Sequence, residues 1–463
     1  MHPPWALNRI WKLVGGFLLA SLVFSAVLVW GNEGHSKTHD STKLRIGFLK
    51  QINAAPIIIA MEKGFFKQEG LTVTLEPQSD WEALETRLLD GDLDASQAPA
   101  AVPLATRIGY GRRADLVVPL VLGTHGNAVT LSTVLRDQLA VRNTRGEPLN
   151  ADILGPAIAD YQRRGQRLNL AAGNALGASN FQLRYWLAAS GISPGFFTTE
   201  DSSGDFNGDV RIWEMRAARM QATLEAGGID GFSSGEPWHQ LATEAGSGVG
   251  VVSSRDIHAN CAGTVFAVPE EFSNQHLKET LGLTRALIRA ARWLDADNGA
   301  NRDEAAKILS APQYVGIDAS YILRALDDHA EEKADGDRDV GGASLFFKND
   351  VSFPDLTDAV WYLTQMRRWG QIESFHPDIW YDGMAHSVFR PDLYLAAARG
   401  LVKDGYASAE DFPWSSNGYL SRGENIFIDG KSFDPESPNA YIDSFPIGLK
   451  GRETIGRVSE NRQ

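Results

Sequence analysis

The sequence predicts an α/β fold: two sheet-and-helix units enclosing a cleft, followed by a helical extension. Three observations carry this. Apolar strands alternate with helical stretches from Leu44 to Leu122. A second alternating unit follows the polar, Arg-rich segment Val141 to Arg167. From Glu271 onward the chain turns largely helical. Strands that alternate with helices form parallel sheets covered by helices.

In the first unit, Leu44 to Leu49 reads as a strand and Ala55 to Phe66 as a helix that ends near Gly64. Leu71 to Leu75 alternates at period two, as a half-buried strand does. Trp81 to Leu89 is helical and stops at Gly91; Leu93 to Ser96 is a short strand. Pro99 to Ile108 reads as a helix and Val117 to Leu122 as a strand. In the second unit, Leu168 to Leu170, Val210 to Trp213 and Ile229 to Phe232 are strands. They are separated by helices over Asn180 to Ser190 and Ala217 to Ala226. Val249 to Ser253 and Thr264 to Val268 read as strands leading back to the first unit. Helices then follow over His276 to Trp293, Arg302 to Leu309 and Asp355 to Trp369. The final stretch is rich in Gly, Ser, Asn, Asp and Pro, which punctuate rather than propagate regular structure.

These signals divide the chain into a signal peptide or membrane anchor over 1–35 and the first part of lobe 1 over 43–131. Lobe 2 covers 132–252, and the lobe 1 return with a helical extension covers 253–375. An irregular C-terminal wrap covers 376–463. Two α/β units joined by two crossings leave a cleft between them. Ligands of such sheets sit beyond the carboxyl ends of the strands, where helix N-termini offer free N–H donors.

The 463 residues carry a formal net charge of -14 and no Lys/Arg cluster longer than Arg112-Arg113. Nucleic acid demands a basic face and is excluded as a partner. The single cysteine, Cys261, excludes an internal disulfide framework and a cysteine-based zinc site. No metal ligand set or cofactor is expected: Gly204 to Asp209 lacks a full calcium-loop pattern. The chain has no Gly-x-Ser-x-Gly elbow, Walker loop or His-Glu-x-x-His, so no enzyme activity is expected.

Arg9 and Lys12 precede an uncharged run from Leu13 to Trp30. Its 18 residues span about 27 Å as a helix, just short of the roughly 30 Å hydrocarbon core. It reads either as a long signal peptide or as an uncleaved anchor in the inner membrane, with the rest of the chain periplasmic. Asn32 to Thr42 reads as a tether.

Gly47-Phe48-Leu49, Ala55 to Ala60 and Glu62-Lys63-Gly64-Phe65-Phe66 resemble the opening of nitrate-, bicarbonate- and sulfonate-binding proteins of ABC importers. The likeness to the nitrate/bicarbonate branch continues through Ser79-Asp80-Trp81, Gly91 to Gln97 and Gly126 to Thr130. It extends through Leu183 to Ala189, Gly231 to Trp238 and the distant Trp361 to Gly370. It therefore runs from about Leu44 to about Ala440, and the ordered set is more specific than any one motif. The resemblance implies a two-lobed type II periplasmic-binding fold with a C-terminal helical extension and an irregular tail. It implies capture of a small oxyanion, nitrate or nitrite first, for an ABC permease and its ATPase subunit. The same role for bicarbonate, cyanate or a small sulfonate is the alternative, as is a nitrate-sensing regulatory protein.

The resemblance also implies the site. Trp81 matches a cleft tryptophan, and Gln97, His125 and Asn127 match polar contact regions. Two positions depart from the pattern. Ser179 stands where relatives carry a histidine, and Thr264 where they carry a lysine. Lys50, at the end of the first strand, stands where relatives carry an uncharged residue and is expected to replace the lost charge. The expected ligand-binding set is Trp81, Lys50, Gln97, His125, Asn127, Ser179 and Thr264.

Overall fold

The computed structural model describes residues 43–124, 126–140, 148–199, 202–259, 261–326, 344–420 and 427–449. The apolar run 13–30 and His125 lie outside these residues. Among the described residues, no helix is long and apolar enough to cross a membrane.

Among the described residues, ten strands form two five-stranded sheets. They are β1 (Lys43–Leu49), β2 (Thr72–Gln78), β3 (Ala95–Pro99), β4 (Leu116–Thr124), β5 (Asn127–Ser132), β6 (Leu168–Ala172), β7 (Val210–Glu214), β8 (Gly231–Gly235), β9 (Gly248–Ser253) and β10 (Ala262–Pro269). The first sheet has the order β2-β1-β3-β10-β4 and the second β7-β6-β8-β5-β9. β1 runs parallel to β3, and β10 inserts antiparallel between β3 and β4. In the second sheet, β6 is parallel to β7 and β8, while β5 is antiparallel to β8 and β9. Both sheets are therefore mixed. The wholly parallel arrangement expected from alternation fails because two strands enter from the other lobe by a crossing rather than by a helical crossover.

The first crossing comes earlier than residue 131. β5 already belongs to the second sheet, and only residues 125 and 126 separate it from β4. Gly126 adopts φ +75°, which favours glycine, and a Cβ there would lie 2.6 Å from Ser344 Oγ. The second crossing runs from β9 through the turn Ser254–Ile257 into β10.

β4 is an edge strand yet is buried along its whole length. The C-terminal part of the chain covers it: Val121 N donates to Ser352 O at 3.0 Å and Arg390 N to Val118 O at 2.9 Å. An uncovered edge of this apolarity would template aggregation. The helix Leu356–Trp369 lies against both lobes, with all of its residues buried. Tyr362 Oη donates to Ala262 O of β10 at 2.5 Å. On the lobe 2 side, Phe197 N donates to Trp369 O at 2.8 Å. The helix ends at Gly370 with φ +91°, where a Cβ would lie 2.2 Å from Phe197 O. Two helices, Asp378–Val388 and Pro391–Lys403, open the stretch expected to be an irregular wrap. Pro391 sits in the first turn of the second, where its missing N–H costs nothing.

Candidate functional site

A cleft of about 650 Å³ separates the two lobes. Lobe 1 contributes the ends of β1, β2 and β3, and lobe 2 the ends of β5, β7 and β8. The carboxyl end of a parallel strand leads into a helix, so the cleft inherits helix N-termini. Trp81–Leu89, Ala178–Ala189 and Ala217–Glu225 each place their first residues on its wall.

The lobe 1 helix is already satisfied: Asp80 Oδ1 caps it by accepting from Ala83 N at 2.8 Å. The two lobe 2 helices carry no side-chain cap. Their first amides therefore present partial positive charge to the cleft. Gly173 and Gly177 keep the approach to the helix at Ala178 open; a Cβ at Gly177 would lie 3.0 Å from Asn174 O.

Of the sequence-expected residues, Lys50, Trp81, Asn127, Ser179 and Thr264 all line this cleft. Trp81 is half-buried at the start of its helix. Thr264 is 5% exposed, and its Oγ1 makes no hydrogen bond to the protein. Lys50 is exposed and donates from Nζ to Pro312 O at 2.6 Å. A carbonyl does not neutralise the ammonium, which keeps its full charge and two further donors. Asn127 spends one amide hydrogen on Gln182 Oε1 at 2.9 Å.

Gln97 does not reach the cleft. It is fully buried in β3 and lies behind Trp81 beside a small gap shared with Leu84 and Leu88. Its Oε1 accepts from Leu49 N at 3.1 Å, while Nε2 makes no hydrogen bond. Glu236 is buried and accepts from Gln240 N at 3.3 Å.

Sequence reasoning missed Glu214 and Arg216, which line the cleft from lobe 2. Both sit where β7 hands over to a helix, and that position in a strand–helix unit was the available signal. Desolvation by the surrounding walls holds the Glu214 carboxyl above the usual range against the lowering hydrogen bond from Ala175 N, and Glu82 of the other lobe adds repulsion. Asp80 stays below the usual range, chiefly through the Ala83 amide and with help from Ser79 and Arg216. The charged lining residues are Lys50 and Arg216 against Asp80, Glu82 and Glu214. Acidic groups thus outnumber basic ones in the lining, and net charge does not by itself favour an anion here.

Two α/β lobes closing on a donor-lined cleft define a bilobed solute-binding fold. The chain belongs to the NMT1-like family, whose profile matches residues 37–310. It is 29% identical over 420 residues to the bicarbonate-binding protein CmpA of Synechococcus elongatus, covering 87% of this chain and 86% of that one. It is also 29% identical over 413 residues to the nitrate import ATP-binding protein NrtC of Synechocystis. That match takes in 88% of this chain but only 56% of the relative's length. Among solved structures, the periplasmic nitrate-binding protein NrtA from Synechocystis superposes with a TM-score of 0.75 at 24% identity. The superposition covers 88% of this chain and 99% of that one. It shows that this chain has the periplasmic-binding-protein fold.

Proposed function

We propose that this protein is the extracytoplasmic solute-binding component of an ABC importer for a small oxyanion, with nitrate or nitrite the first reading. The observation that carries this is the unpartnered, buried Thr264 hydroxyl facing a cleft ringed by two uncapped helix N-termini. A buried hydroxyl without a partner is costly, and an oxyanion supplies the missing acceptor. Lys50 adds a full charge at the rim, and Trp81 walls out water, which strengthens every hydrogen bond inside. Ser179 and Asn127 complete the polar lining. His125 is proposed as a further donor on its sequence position alone, and Gln97 as the residue that braces the strand behind Trp81.

The relatives named for import systems support delivery to a permease and its ATPase. The run Leu13 to Trp30 supports export, with that segment either removed or kept as an inner-membrane anchor. Bicarbonate is the second reading, and Glu214 favours it: bicarbonate carries a hydroxyl that a carboxylate can accept, whereas nitrate carries none.

Calorimetry of the full chain with nitrate, nitrite, bicarbonate and taurine at low salt tests the reading. Saturable single-site binding of one oxyanion, weakened in Trp81→Ala, is the expected result. Silence from all four would remove the oxyanion assignment.

A further inference from the structure

We propose that Asp80 and Arg216 are positioning residues that form a latch across the mouth of the cleft, closing the lobes over the bound solute. Asp80 belongs to lobe 1 and Arg216 to lobe 2, and Arg216 Nη2 lies 2.5 Å from Asp80 Oδ2. Each is the N-cap residue of a helix whose first turn lines the cleft. The inference rests on the solute-binding reading and adds to it a device for trapping.

The sheet orders give the pair its leverage. Both crossings between lobes involve β4, β5, β9 and β10, which lie together at one end of the two sheets. Asp80 follows β2 and Arg216 follows β7, the outermost strands at the opposite end. Four strand spacings separate β2 from β4, a lever arm of about 19 Å. An opening of about 10° around the crossings would part the pair by about 3 Å, enough to break a charge-assisted hydrogen bond. The latch thus exists only when the lobes are close.

Two further features suit the role. Asp80 is held ready: its other oxygen caps the helix at Ala83, and Ser79 Oγ donates to Oδ2 at 2.8 Å. A second ion pair between the lobes, Arg324 with Glu244, joins the helices Ala319–Leu326 and Trp238–Glu244. Neither of its residues lines the cleft. The Asp80–Arg216 pair therefore both spans the lobes and borders the solute's space. Arg216 is well exposed, so the pair is weak enough to open for release.

The test combines small-angle scattering of the ligand-free full chain with nitrate calorimetry, on wild type, Asp80→Asn, Arg216→Gln, Arg216→Lys and the double variant Asp80→Asn/Arg216→Gln. Asparagine remains a good helix N-cap, so Asp80→Asn removes the charge and not the cap. Each single variant should increase the radius of gyration and weaken nitrate binding about 2- to 5-fold. The double variant should be no weaker than the worse single, Arg216→Lys should recover part of the loss, and high salt should bring wild type toward the variants. Scattering identical to wild type would overturn the latch, as would single losses that multiply in the double variant. Unchanged nitrate affinity alongside expanded scattering would overturn its coupling to capture. If wild type binds no nitrate while the variants still expand, the oxyanion reading fails and the latch stands.

Discussion

Replacing Thr264 by valine separates a ligand contact from a packing residue. The swap nearly conserves volume and removes one hydroxyl that is 5% exposed and has no protein partner. In the ligand-free protein the hydroxyl contributes only its desolvation penalty, so valine should raise stability by about 1 kcal/mol, roughly 1 °C in Tm for a chain of this size. With an anion bound, the hydroxyl becomes a donor to a charged acceptor, a bond that contributes about 1.5–3 kcal/mol. At about 1.4 kcal/mol per tenfold, nitrate affinity should fall about 10- to 150-fold. Calorimetry and a thermal melt on the same preparation read both quantities. The expected signature is opposite signs: a more stable protein that binds less well. A variant that binds as wild type does, or that loses stability and affinity together, would refute the assignment of this hydroxyl to the solute.

Other perturbations follow from the same geometry. Lys50→Ala should weaken nitrate binding several-fold at low salt, with the difference shrinking as salt screens the rim charge; equal affinity at low salt would remove Lys50 from the site. Glu214 carries a carboxyl held above the usual range by desolvation and by Glu82. Ionised, it repels an anion, so nitrate affinity should rise as pH falls through the range where Glu214 takes up its proton. Nitrate itself does not titrate there, and the rise should be absent in Glu214→Gln. Gly370→Ala places a Cβ 2.2 Å from Phe197 O at a φ of +91°. It should cost about 1–3 kcal/mol of stability, read as a lower midpoint in chemical unfolding.

The local elements were legible where their period was strong. The helix over Arg302–Leu309 and the strand beginning at Thr72 stand where apolar spacing places them. The helix Thr133–Leu139 was not seen because it buries only Leu135 and so carries no periodic stripe. The helices over 378–403 were hidden by Gly383, the prolines and a scatter of polar residues. Their stability comes from docking on the lobes, a tertiary effect that composition does not report. The antiparallel insertion of β10 was illegible for a similar reason: strand pairing across roughly 140 residues leaves no local mark.

At the site, five of the seven expected residues line one cleft, Gln97 does not, and His125 lies outside the described residues. Gln97 belongs to a strand buried on both faces, so its position in sequence could not tell cleft from wall. Thr264 and Ser179, the two departures from the family pattern, both face the cleft. Arg216 escaped notice because an arginine at a helix start reads as a solvated charge until its partner on the other lobe is known.

Crystallisation of the full chain with saturating nitrate puts the central claim, a donor-lined cleft that encloses a small oxyanion, to its most direct trial. The expected electron density is a planar anion between the lobes, within hydrogen-bonding distance of Thr264 Oγ1 and of an amide at the start of the helix Ala178–Ala189 or Ala217–Glu225. Nitrate bound only outside the cleft, or seated there with Thr264 still unpartnered, would contradict it.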